Sequence, residues 1–354
     1  MEKDHGCGCH NQADCCSQET KSENHAWIVG SISTPIGDVP LVSHRLSRKD
    51  VIGRWKARWG IDRMNYNVNP GLYAIGNPTA ESPVFVSANY KMSFDILRHD
   101  LAGIDGWILV LDTKGINVWC AAGKGTFGTQ ELVHRIADSR LPEIVSHRKL
   151  IVPQLGAPGV AAHTVKKESG FLVEYGPVLS RDIMDYLEND HEATDIMRRV
   201  PFGFKDRAVL IPMELVPAMK YFPYVALIVL AVQLIVFHTF NLESILILGP
   251  FLGAILMGSV IFELALPIMP FRSFVLNGWI LGLILSWILY HYCSFSQWNN
   301  LSWFFLLPPL TAYLAENFTG TTTFTHLSGV KLELKLGVPI MVVSIVIGLV
   351  LQFI

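Results

Sequence analysis

The chain has 354 residues, 51% of them hydrophobic and only 16% charged, with a formal net charge of −2. Only seven of its 58 Asp, Glu, Lys and Arg residues fall in the last 133 positions: Glu243, Glu263, Arg272, Glu316, Lys331, Glu333 and Lys335. That asymmetry excludes both a uniformly soluble enzyme and a chain that is all membrane. The charge gives no support to a nucleic-acid-binding surface, which would be basic.

Residues 1–26 contain no apolar run, so they read as a polar, disordered tail and not as a secretory signal. The tail holds Cys7, Cys9, Cys15 and Cys16, four of the six cysteines. Thiolates at Cys-x-Cys and Cys-Cys spacing suit a soft metal ion such as mercury(II), although this is no standard zinc pattern. An unstructured tail with incidental thiols explains them equally well.

Residues 27–205 alternate between strand and helix patterns. Pro83–Tyr90 is β-rich, Met92–Leu101 helical, and Gly106–Asp112 a continuous apolar run of the kind buried in parallel sheets. An amphipathic helix is expected around Gln130–Ser139, strands at Leu150–Pro153 and Leu172–Tyr175, and a helix at Arg181–Asn189. The alternation predicts a doubly wound, Rossmann-like α/β domain, in which ligands bind beyond the carboxyl ends of the strands. Residues 206–221 then read as a linker.

From residue 222 the composition is that of a membrane domain. Phe222–Phe240, Ser244–Phe262, Phe274–Tyr290 and Val338–Ile354 are uncharged or nearly so and of spanning length. Leu301–Ala315 is shorter and interrupted by Pro308 and Pro309, giving five spans in all. Arg198, Arg199, Lys205, Arg207, Lys220, Arg272, Lys331 and Lys335 would share one side of such a bundle. The expectation is a multi-pass protein of the inner (cytoplasmic) membrane, with its α/β domain in the cytoplasm and residue 354 across the bilayer. Glu263 and Glu316 fall near span ends, where a solvated carboxylate is expected. Apolar span cores without charge argue against a transporter or metal-uptake protein.

Cys120 is the sole cysteine of the α/β region and follows the buried strand at the edge where ligands bind. If a short helix begins at Ala121, its amides and dipole favour a thiolate there. Ala121, Ala122 and Gly123 would let a flat ligand approach the backbone. A lone cysteine in this position is more often inert packing, and these residues alone leave the choice open.

The octet NVWCAAGK, Asn117 to Lys124, resembles the cap-helix signature of the HgcA family, the corrinoid proteins of microbial mercury methylation. NPGLYAIGNP, SPVFVSANYKMSFDILR and PQLGAPGVAAH are similar to the corrinoid-binding domain shared with the corrinoid iron–sulfur protein of the acetyl-CoA pathway. ENFTGTTTFTHLSGVKLE, before the last span, also looks like the mercury family, so the likeness covers about residues 27–354. It implies a cobalamin-type cobalt corrinoid with Cys120 sulfur as lower axial ligand. Asn117, Val118, Trp119, Ala121, Ala122, Gly123 and Lys124 would line its lower face, and Ser87, Asn89 and Ser93 its edge. Ser87 and Ser93 stand where relatives would carry threonine. No Asp-x-His-x-x-Gly segment is present, so the histidine-ligated corrinoid design is not available.

The implied activity is methyl transfer from methyl-cobalt(III) to inorganic mercury(II), forming methylmercury. A methyl carrier in one-carbon metabolism is the second implication. The chain has no C-x2-C-x2-C-x3-C pattern, so a ferredoxin-like protein with two 4Fe–4S clusters is implied as reductant, and a methyltetrahydrofolate-linked system as methyl donor.

Overall fold

The computed structural model describes residues 25–238, 240–293, 298–318 and 327–352. Two strands, β1 (Ile28–Thr34) and β2 (Gly37–Val42), form an antiparallel hairpin. Helix α1 (Arg48–Arg58) follows, with Ser47 and Asp50 forming a reciprocal capping box. Strands β3 (Gly71–Ile75) and β4 (Val84–Ala88) lead into α2 (Lys91–Asp100). Next come β5 (Gly106–Leu111), α3 (Val118–Lys124), α4 (Thr129–Asp138), β6 (Lys149–Val152), α5 (Ala162–Ser169), β7 (Leu172–Tyr175) and α6 (Ile183–Glu188).

The seven strands form one sheet in the order β1-β2-β3-β5-β4-β6-β7. Strands β5, β4, β6 and β7 are parallel, while β3 runs antiparallel to β5, so the sheet is mixed. Period-two alternation divides its buried residues between two cores. Val84, Val86 and Leu109 pack with Leu132 and Val165 on the α4–α5 face. Phe85, Ile108 and Ile151 pack with Phe94 and Tyr186 on the α2–α6 face. The doubly wound expectation therefore describes the four parallel strands, and it is modified by β3, antiparallel to β5, with the β1–β2 hairpin beyond it. The chain leaves β4 toward β5 and later crosses to β6, so the β4–β6 boundary is a topological switch point, where a crevice opens at the strand ends.

Residues 206–221, read above as a linker, are mostly helical: α7 (Phe204–Ala208) is followed by α8 (Ile211–Ile235). Pro217 and Pro223 both lie within α8. The second span comprises α9 (Leu242–Leu246), α10 (Leu248–Leu256), a π turn at Met257–Ile261 and α11 (Phe262–Ala265). Then follow α12 (Phe274–Tyr292), α13 (Trp303–Asn317) and α14 (Leu327–Leu351). Four segments among the described residues are long and apolar enough to cross a membrane: 204–235, 242–268, 274–292 and 329–351.

Helix α13 is the exception to the five-span expectation by length, since 15 residues rise only about 22 Å. It is nevertheless enclosed by its neighbours. Ser286 donates to the Trp303 carbonyl at 2.8 Å, and Thr311 to the Gly278 carbonyl at 2.8 Å, so α12 and α13 run antiparallel. Gly278 and Gly282 permit this approach; a Cβ on Gly278 would lie 2.6 Å from Ala312 Cα. Ser344 donates to the Phe305 carbonyl, and Glu333 accepts from Ser273, both at 2.8 Å, which sets α14 alongside the pair. Glu263 and Glu316 are buried and not solvated. The Glu263 carboxylate oxygens have no hydrogen-bond partner among the described residues, and Glu316 faces Glu333, so the argument from uncharged span cores does not hold for this bundle.

Candidate functional site

The β5 strand ends at Leu111, and the chain turns through Asp112–Ile116 before α3. That turn is held by Asn89, at the end of β4. Asn89 Oδ1 accepts from Thr113 N at 3.1 Å, Thr113 Oγ1 at 2.8 Å and Gly115 N at 2.9 Å. Gly115 has φ +69°, a left-handed conformation that glycine adopts without strain. Burial works against ionisation of Asp112, but hydrogen bonds from Lys114 outweigh it and hold the carboxyl below its ordinary range.

Helix α3 begins at Val118, earlier than the start at Ala121 considered from sequence. Asn117 is the N-cap, and its Oδ1 accepts from Cys120 N at 2.9 Å. Gly125, with φ +80°, closes the helix after two turns. Ala121 and Ala122 are buried in the core, whereas Trp119, Gly123 and Lys124 are exposed and Cys120 is half-buried with a free thiol. The absence of a side chain at Gly159 is needed behind α3: a Cβ there would lie 3.1 Å from Ala122 Cα and would collide with the Phe127 carbonyl. The segment 156–161 is thus pressed against α3, with Thr129 N donating to Gly159 O at 3.1 Å and Ala161 N to Thr129 Oγ1 at 2.8 Å.

A cavity of about 320 Å³ opens where β4, β6 and β7 end. Ser87 and Ser93 line it, as do Asn117, Val118 and Trp119, with Phe85 and Ile151 among its apolar walls. The structure therefore gathers five of the sequence-selected residues around one cavity. It places Cys120 on the helix whose first turn forms the rim. Asn89 is not among the lining residues; it is buried and occupied with the Thr113–Gly115 turn. Lys124 lies at the far end of α3, and the Ala121 and Ala122 side chains point into the core. Sequence reasoning missed Pro177–Ser180 on the opposite wall; the Gly176-Pro177 pair after β7 was the available signal. Cys7, Cys9, Cys15 and Cys16 lie outside the described residues, as does most of the Thr319–Ser328 stretch. No group of three or more His, Cys, Asp or Glu among the described residues is arranged to hold a metal ion.

Residues 54–187 match the family model for the CO dehydrogenase/acetyl-CoA synthase delta subunit. The match takes in the cavity walls and α3. The chain is also similar to the acetyl-CoA decarbonylase/synthase complex subunit gamma of Archaeoglobus fulgidus, with 32% identity over 176 residues, 48% of this chain and 37% of that protein. The subunit gamma of Methanopyrus kandleri is 33% identical over 125 residues, 35% of this chain and 27% of the relative. The chain spans well under half the length of these curated relatives.

Proposed function

We propose that this chain is a membrane-anchored, corrinoid-dependent methyltransferase whose acceptor is inorganic mercury(II). The observation that carries the reading is Cys120: a free thiol, half open to solvent, on a capped helix beside a cavity at the strand ends. The residues fit the cofactor. A cavity of about 320 Å³ takes one side arm of a large ligand and not a whole macrocycle. The macrocycle itself would rest on the exposed side of α3, where the site of a Gly123 Cβ has nothing within 4 Å. Ser87 and Ser93 would offer hydroxyls to the arm inside the cavity, and Cys120 would hold cobalt.

When bound, a cobalt corrinoid supplies a nucleophilic metal centre able to accept and release a methyl group. The protein's part is to orient and tune. Asn117 fixes the first turn of α3, so Cys120 is presented from a rigid support and not from a mobile loop. A thiolate at that position donates electron density more strongly than imidazole, which favours transfer to an electrophile such as mercury(II). Mercury as acceptor rests on the octet NVWCAAGK. A methyltetrahydrofolate-linked donor and a ferredoxin-like reductant with two 4Fe–4S clusters complete the proposed cycle, set at the cytoplasmic face of the inner membrane.

A second reading, a corrinoid methyl carrier in one-carbon metabolism, is favoured by relatives named for the acetyl-CoA decarbonylase/synthase complex. Supplying the corrinoid-loaded full chain with methyl donor, reductant and mercury(II) separates the two. Methylmercury formed over many turnovers supports the first. Methyl transfer to a one-carbon acceptor, with only stoichiometric methylmercury, supports the second.

A further inference from the structure

Helix α1 is built inside out. Its domain-facing side carries Asp50, Gly53 and Ala57, and a Cβ on Gly53 would meet the Tyr66 ring at 2.7 Å. The opposite side and the following turn present Ile52, Trp55, Trp59, Ile61 and Met64 to solvent, with exposures from 41% at Trp59 to 70% at Met64. Large apolar residues so close together form a patch and are not the scattered exposure usual on a soluble surface. The same segment carries Arg48, Lys49, Arg54, Lys56, Arg58 and Arg63. Its only acids are Asp62 and Asp50, and Asp50 is already paired inside the domain with Lys91 and Arg98. Arg54, Arg58 and Arg63 are partly buried, whereas Arg48, Lys49 and Lys56 are exposed, so the surface is both apolar and cationic.

Its location says what covers it. A Cβ on Gly60 would lie 3.9 Å from Val216 Cγ1, so the end of α1 rests on the first spanning helix, α8. Arg63 is within electrostatic reach of Glu214, on the same helix. Further along α8, Tyr221 and Tyr224 are exposed. At 1.5 Å per residue they lie about 7 and 12 Å beyond Val216. Exposed tyrosines at the start of a span mark the headgroup level, which puts α1 within about one helix diameter of that level.

We propose that the face running from Arg48 to Met64 seats on the anionic headgroup surface of the bilayer beside α8. Trp55 and Trp59 would enter the interface, and the arginines and lysines would pair with lipid phosphates. The seating would also reach the cofactor side of the domain. The Met64 carbonyl lies 3.4 Å from the Cβ position of Gly115, in the turn that delivers α3. Lipid contact at α1 would thereby hold that edge of the domain close to the membrane.

The test uses the full chain in nanodiscs of phosphatidylcholine alone or of phosphatidylcholine with phosphatidylglycerol, read by amide hydrogen exchange. Peptides covering 48–65 should exchange about five-fold more slowly in the anionic discs and return to the neutral-disc rate in high salt. A variant with Trp55→Ala and Lys56→Glu should lose that protection, while peptides from β4 and β5 report an unchanged fold. Equal exchange in both lipids, or full protection retained in the variant, would overturn the proposal. So would protection that appears only after an acidic soluble protein is added, which would assign the face to a protein partner.

Discussion

Asn89 Oδ1 lies 2.8 Å from Thr113 Oγ1, and that contact joins the end of β4 to the turn that launches α3. The neighbouring strands β4 and β5 thus share one side-chain anchor, and the anchor fixes where the helix bearing Cys120 begins.

Replacing Asn89 with alanine leaves the amides of Thr113 and Gly115 and the Thr113 hydroxyl without this acceptor in a buried setting. We expect a loss of about 2–3 kcal/mol in domain stability, with Asn89→Asp retaining part of it. Amide exchange at Thr113 and Gly115 should accelerate more than exchange in β6. Unchanged exchange at both amides would show that the turn holds itself.

Cys120→Ala should preserve the α/β core, because the thiol is half exposed and its removal leaves no cavity. The visible spectrum of the corrinoid-loaded protein should shift, and methylmercury formation should fall to background. Cys120→His should restore a cobalt ligand without restoring the rate. Parental spectrum and rate in the alanine variant would remove the sulfur–cobalt bond from the mechanism.

Asp50 sits in a buried charge network with Lys91 at 2.7 Å and Arg98 at 3.0 Å, and Asp95 pairs with the same two cations. Burial alone would raise the Asp50 pKa, but the Lys91 and Ser47 hydrogen bonds prevail and hold it at about 2, against an ordinary 3.8. A carboxyl depressed in the folded state stabilises above the unfolded value, and that contribution is lost as pH falls from about 4 to 2. Asp50→Asn should cost about 2 kcal/mol at neutral pH. It should also flatten this acid limb in urea unfolding followed across pH 2–6; an unaltered limb would assign the transition to other carboxylates.

Because α13 runs antiparallel to α12 and is followed by α14, we expect it to act as a return pass in spite of its length. Five crossings would put residue 354 opposite the α/β domain, and alkaline phosphatase fused after it should then be active outside the cytoplasm. Activity confined to a cytoplasmic reporter would mean that α13 does not cross.

The parallel strands and their helices were legible because β4 is β-rich and β5 a continuous apolar run, and Leu172–Tyr175 coincides with β7. The β1–β2 hairpin was not, since its Gly, Ser and Thr residues give a weak alternation and much of it is only partly buried. Helix α1 escaped notice because its apolar residues face outward, which reverses the usual signal. Helix α8 begins at Ile211, before the apolar run at Phe222, and its two prolines resemble a boundary only in sequence. At the site, the octet coincides with α3 and its cap, but the role of Asn89 as a latch depends on a contact across 24 residues that no local pattern encodes.

The close seam between Gly278, Gly282 and α13 bears on how the bundle is made. Helix α12, inserted alone, would present a glycine groove to lipid, and α13 is too short to be a strong insertion signal. The two are best placed in the bilayer together, as a hairpin, once synthesis has passed Asn317. The membrane half of the chain would then assemble in pairs and not one helix at a time, with α14 locking a hairpin already formed.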